Sequence, residues 1–204
     1  MNPSLTITDC PSPLQQSGVD ERERAIGSVR LREMRGLSLL RLRVGDERFS
    51  AGPPMPELPA RTGQCSGKDP AFLCLGPREW LAISASSTPR QLVQDLQSAI
   101  GSRFSSAYDL TPGLVVLRLS GDGAPWLLSK LSCLDFIGAV DAGEHCARTR
   151  MADAGVTLRY HQPTDGEWCF DVIADRSLAG YLWRLLEACA PHANELTNTF
   201  GAVP

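Results

Sequence analysis

Seven cysteines and three histidines are the side chains of this sequence best suited to nucleophilic, redox or metal chemistry, and their spacing organises none of it. Cys10, Cys65, Cys74, Cys133, Cys146, Cys169 and Cys189 form no CxxC pair and have no histidine at a metal-ligand offset, so they read as scattered reduced thiols. A cysteine-based redox function would need one thiol with a depressed pKa. His145 adjoins Cys146, but neighbours on a strand point to opposite faces and do not converge on one substrate atom. Acyl transfer would want a positioned Ser or Cys with a His and an acid; His145, His161 and His192 lie near no GxSxG-type elbow. Asp20, Glu21, Glu23, Asp135 and Asp141 read as surface or turn acids. No GxGxxG or GxxxxGK[ST] is present. Ser120-Gly121-Asp122-Gly123 has amides that could hold an anion at a helix N-terminus. Asp122 would repel it, which favours a turn with Asp122 as helix cap.

Composition narrows the partners. The chain has 204 residues, 43% apolar and 21% charged, as in ordinary globular proteins. A net charge of -3 offers no excess cation for a phosphate backbone, which argues against nucleic acid. Apolar runs such as Gly113–Leu117 and Trp80–Ile83 fall far short of a membrane span, and MNPSLTITDC lacks the pattern of a signal peptide. The expectation is a cytoplasmic protein with no membrane partner.

The elements that would position any site follow from periodicity. Residues 1–26, with Pro3, Pro11, Pro13 and a mixed-charge run, read as a flexible arm. Residues 27–190 read as one α+β domain. Val29 and Leu31 alternate with Arg30 and Arg32, and Leu40, Leu42 and Val44 with Arg41 and Arg43, predicting two strands joined near Gly36 whose arginine face is a candidate interface. Residues 45–69 hold Pro53, Pro54, Pro56, Pro59, Gly52, Gly63 and Gly67, a long Pro/Gly-rich loop of the kind that meets partners. A hairpin follows over Phe72–Ser84, then a helix capped by Thr88 and ended by Gly101 with a stripe of Leu92, Val93, Leu96 and Ile100. Strands over 105–109 and 114–119 lead to a second helix lined by Leu127, Leu128 and Leu131. Strands over 146–151, 155–161 and 168–173 precede a third helix, capped by Asp175, lined by Leu178, Leu182, Leu185 and Cys189, and stopped by Pro191; residues 191–204 are left as a tail. Strand, turn, strand, helix thus occurs at 72–101 and again at 155–189. The fold class is α+β, two similar strand–strand–helix lobes that share mixed or antiparallel sheets.

Certain segments resemble a known family. FLCLGPREWLAIS, Phe72–Ser84, is similar to the "WLGPDEWL" signature of the sarcosine oxidase gamma subunit family through Leu75, Gly76, Pro77, Glu79, Trp80 and Leu81. DLTPGLVVLRLSGDGAPWLLSKLSCLDF, with Asp109 and Gly121, resembles a block shared by that family and the glycine cleavage T-protein superfamily. CARTRMADAGVTLRY resembles the family's closing strands, and FDVIADRSLAGYLWRLLEA, with Tyr181, Leu182 and Trp183, its last helix. The resemblance covers about residues 28–190. Physical roles stand beside it: Gly76-Pro77 for a tight turn, Trp80 and Trp183 for buried area, Leu182 and Leu185 for seating the helix.

The resemblance implies a T-protein-like folate-binding domain fold in a non-catalytic accessory subunit of a heterotetramer. Its large alpha subunit, the direct partner, would carry NAD and a folate-binding domain; the beta subunit FAD, with FMN between them; and the delta subunit zinc. Such an enzyme oxidises a secondary amine and passes the one-carbon unit to tetrahydrofolate. This chain would hold no cofactor, metal or catalytic residue and would serve assembly and stability. Folate-active relatives place an acidic pair after a "G-G-apolar-apolar" segment; aligned with Ala154-Gly155-Val156-Thr157, those positions hold Leu158 and Arg159, which cannot relay a proton near neutral pH. The "K-G-C-x-x-G-Q" motif of iron–sulfur-assembly relatives is absent. The alternative is a stand-alone folate-binding or aminomethyltransferase-like protein, with Asp109 as its best acid, although a strand-end aspartate more often serves a turn.

Overall fold

A computed structural model describes residues 12–19, 23–45, 57–135, 143–161 and 166–201. In chain order the elements are α1 (Pro13–Gln16), β1 (Glu23–Ile26), β2 (Val29–Met34), β3 (Ser38–Val44), β4 (Cys65–Ser66), β5 (Ala71–Gly76) and β6 (Glu79–Ser84). Then follow α2 (Pro89–Ile100), β7 (Ser105–Asp109), β8 (Leu114–Ser120), α3 (Ala124–Leu131), β9 (His145–Met151), β10 (Ala154–His161), β11 (Cys169–Asp175) and α4 (Ala179–Phe200). Two units result, one around Gly36–Leu114 and one joining Pro11–Arg35 to Val115–Pro204.

The first unit is a five-stranded antiparallel sheet in the order β4-β5-β6-β3-β7 with α2 on one face. Leu92, Leu96 and Ile100 of α2 pack on Leu40, Leu42, Phe72, Trp80 and Ala82. The helix starts where expected: Thr88 accepts from Gln91 N–H while the Gln91 side chain accepts from Thr88 N–H, a reciprocal capping box. The second unit is a six-stranded sheet, β1-β2-β8-β11-β10-β9, covered on one face by α3 and α4. Alternation sends Leu117, Leu119, Leu158, Phe170 and Val172 to the helices, where Leu182, Trp183 and Leu186 meet them.

Several expectations change. Of the expected arm, residues 1–11 and 20–22 lie outside the described residues, and the described part is held by the fold: Ser12 caps α1 through Leu14 N–H and donates to the buried Glu33 carboxylate, and Leu14 is fully buried in the second core. Those tertiary partners lie far along the chain, where local composition cannot register them. β2 and β3 do not pair with each other; β2 joins β8 and β3 lies between β6 and β7, so Arg30 and Arg32 belong to a different sheet from Arg41 and Arg43. The lobes likewise do not share a sheet, because each has its own helix-backed core. Within the 45–69 loop, Cys65–Ser66 pairs with β5 and Leu58 is buried; residues 46–56 lie outside the described residues. Gly123, not Asp122, is the cap position of α3, and Asp122 is exposed. Pro191 does not stop α4, which runs to Phe200 with buried Ala193 beyond it. The buried stripe of α4 therefore runs through Leu182, Trp183, Leu186, Ala190 and Ala193, with Leu178, Leu185 and Cys189 at its margin.

Candidate functional site

The signature hairpin turns on Pro77 and Arg78. Pro77 is preset for the first central position, and Arg78 takes φ 60° at the second, where glycine is usual. Glu79 opens β6 opposite Arg43, with Arg41 two residues away on the same face. Arg41 Nη2 donates to Glu79 Oε1 at 2.8 Å, and Arg43 donates to Oε2 from Nη2 at 2.6 Å and from Nε at 3.1 Å. The Glu79 side chain is 10% exposed, so one nearly buried carboxylate holds two guanidinium groups. Trp80, pointing to the helix side, donates from Nε1 to the Pro59 carbonyl at 2.8 Å and fastens the Pro/Gly segment to the sheet.

A second charged cluster lies on the helix-free face of the six-stranded sheet. β10 and β11 pair so that His161 faces Cys169 and Arg159 faces Asp171. Arg118 of β8 donates to Asp171 from Nε at 2.8 Å and from Nη2 at 3.0 Å, and His161 Nε2 lies 2.5 Å from Asp171 Oδ2. With His161 as donor there, its 3.3 Å approach to Arg118 is a contact between two donors. Burial would raise the Asp171 pKa, but the His161 and Arg118 hydrogen bonds prevail and hold it at about 2. Burial lowers that of Arg118, and the bond to Asp171 more than compensates. Burial pushes the Cys169 thiol up, with Asp171 and Glu167 adding to it against Arg118 and Arg159. Through Asp171 the cluster joins Arg118 of β8 to His161 of β10 and so ties three strands together. The raised Cys169 pKa is the opposite of what a redox thiol needs. Sequence reasoning missed this cluster; its signal was the hairpin register that sets 161 opposite 169 and 171 diagonal to it.

The remaining residues separate by role. Leu158 is buried against the helices, and Arg159, on the opposite face, is buried with an ion pair to Glu144 at 3.1 Å. Asp109 is exposed and accepts from Thr111 N–H at 2.9 Å, a turn role. Gly121, at φ 101°, lies where a Cβ would sit 2.2 Å from the Ser28 carbonyl oxygen, so that crossing requires glycine. The Gly121 and Gly123 amides donate to Trp168 and Ser28 carbonyls, which removes them as anion donors. Leu81, Leu182 and Trp183 are core residues, Leu75 and Gly76 are half-buried, Pro77 is exposed, and Tyr181 is exposed at the start of α4. Arg30 pairs with Glu167, and Arg32 lies 3.8 Å from Glu23, both on the surface. Among the described residues no group of His, Cys, Asp and Glu gathers to hold a metal, and no helix is long and apolar enough to cross a membrane.

These features define an α+β protein of two antiparallel sheets, each backed by helix on one face. Among solved structures, a chain of the heterotetrameric sarcosine oxidase from Corynebacterium sp. U-96, in complex with pyrrole 2-carboxylate, matches it with a TM-score of 0.70 and 24% identity, over 90% of this chain and 96% of that one. The protein thus has the fold of a sarcosine oxidase subunit. No family model and no curated protein matches the sequence.

Proposed function

We propose that this chain is an accessory, gamma-type subunit of a heterotetrameric flavoenzyme that oxidatively demethylates a secondary amine and passes the one-carbon unit to tetrahydrofolate. The observation that carries the reading is the fold shared with a chain of heterotetrameric sarcosine oxidase over 96% of that chain's length. FAD, FMN, NAD and tetrahydrofolate then belong to partner subunits, the large alpha subunit is the direct neighbour, beta and delta complete the set, and the assembly is cytoplasmic. Buried Leu158 and ion-paired Arg159 support a role in assembly, since neither can exchange a proton with a folate. Pull-down of the tagged chain from its native host, followed by absorption spectra and mass spectrometry, tests the reading. A yellow complex containing two flavin-dependent chains and a small fourth chain is expected. A colourless, solitary protein would overturn it.

A further inference from the structure

β7 is the outer strand of its sheet, and its free side is open among the described residues. In the antiparallel ladder with β3, Arg41 faces Tyr108 and Arg43 faces Ser106, while Gly45 N–H donates to the Phe104 carbonyl and Leu110 N–H to the Leu39 carbonyl. The even-numbered residues therefore spend their backbone groups on β3, and Ser105, Ala107 and Asp109 direct theirs outward. Such edges are ordinarily blunted by lysine, proline or a bulge. Phe104-Ser105-Ser106-Ala107-Tyr108-Asp109 has neither residue, and its pairing with β3 runs without a bulge.

The same edge displays two large aromatic rings. Phe104 is 89% exposed and Tyr108 60%. Both stand on the helix-free face, Phe104 over Gly45 and Tyr108 beside Arg41. Next to them two arginines share one carboxylate, leaving a net positive charge, and Arg41 Nε is buried without a hydrogen-bond partner. A strand added to β7 lies about 10 Å from β3, two strand spacings, a gap that a glutamate and an arginine side chain bridge together.

We infer that β7 is the docking edge for an extended, carboxylate-bearing segment of a partner polypeptide, which adds a strand to the sheet, packs on Phe104 and Tyr108, and brings an acid to Arg41 and Arg43. This rests on the accessory-subunit reading and names the surface through which that subunit holds its partner. Backbone pairing supplies affinity, and the rings and the acid set register.

The test is amide hydrogen exchange on the complex recovered with the tagged chain, compared with the chain alone, together with a Phe104→Ala/Tyr108→Ala variant. Both side chains are exposed, so truncation spares the core and thermal unfolding should match the wild type. Slowed exchange at Ser105, Ala107 and Asp109 in the complex, with association weakened by about tenfold or more in the variant, is the expected result. A complex that forms while those amides exchange freely and the variant binds normally overturns the docking edge and leaves the accessory role standing. A solitary chain, whether monomeric or paired with a second copy through β7, overturns both, and absorption spectra with sedimentation tell these outcomes apart.

Discussion

Asp171 shows how much one acid can organise when its register is right. Its partners come from β8 and β10, and their three hydrogen bonds favour the ionised form strongly enough to reverse the effect of burial. A folded-state pKa of about 2 against an ordinary 3.8 means that folding stabilises the carboxylate. That contribution is complete above the unfolded value and is lost as pH falls from about 4 towards 2, about 2 kcal/mol in all. Asp171→Ala should lower the unfolding free energy by about 3 kcal/mol at pH 7, because it leaves Arg118 without its counter-charge. Urea titrations of both proteins at pH 7 and pH 3 check this: the difference should shrink at the lower pH, and an unchanged difference would mean that packing rather than charge is lost. Glu79 is a milder case, since Arg41 and Arg43 keep solvent access. Glu79→Gln should cost about 1 kcal/mol, and the difference from the wild type should narrow as salt screens the two ion pairs.

Helices and hairpins with local signals were readable from the sequence. The Thr88 cap, the Leu92, Leu96 and Ile100 stripe and the Pro77 turn all lie where spacing puts them, because each depends on neighbours within a few residues. What failed depended on distant partners. Pro191 reads as a stop because it removes a helical N–H and crowds the preceding turn. α4 continues through it because its last turns are tied to the β1–β2 turn: Asn194 Oδ1 accepts from Ser28 N–H at 2.9 Å, and Asn194 Nδ2 donates to the Ile26 carbonyl at 2.9 Å. Gly27 admits that side chain, since a Cβ there would meet it at 2.4 Å. The same long-range logic hid the charged cluster, whose members Arg118, His161 and Asp171 are unremarkable in sequence and meet only through strand order. Asn194→Ala should cost about 2 kcal/mol, the loss of hydrogen bonds that leaves half-buried backbone groups unpaired. Hydrogen exchange should then show faster opening of α4 beyond Pro191, with the helix before Pro191 unchanged. Uniform acceleration along α4 would mean that Asn194 does not anchor its end.

The two lobes expected to share sheets belong to two units, each with its own sheet. Among the described residues the first unit lies within Gly36–Leu114, and the second is interrupted between Arg35 and Val115. Its two halves are joined by β2 and β8, which pair antiparallel from Arg30 opposite Ser120 to Met34 opposite Val116. Chain exit and re-entry are therefore cross-strand neighbours, about 5 Å apart. A hairpin turn can span that gap. Replacing Gly36–Leu114 with Asn-Gly joins Arg35 to Val115 through a two-residue turn whose twist suits the flanking strands. The shortened protein keeps Leu14, Leu31, Leu117, Phe170, Leu182 and Trp183 together in one core. It should unfold cooperatively in urea and retain near-ultraviolet dichroism from its buried tryptophans. The Arg118–Asp171 pair gives a second readout, since stability should still fall below about pH 4. Loss of near-ultraviolet signal with strand content retained would mean that the second unit has no independent core and that the inserted unit is needed to complete it.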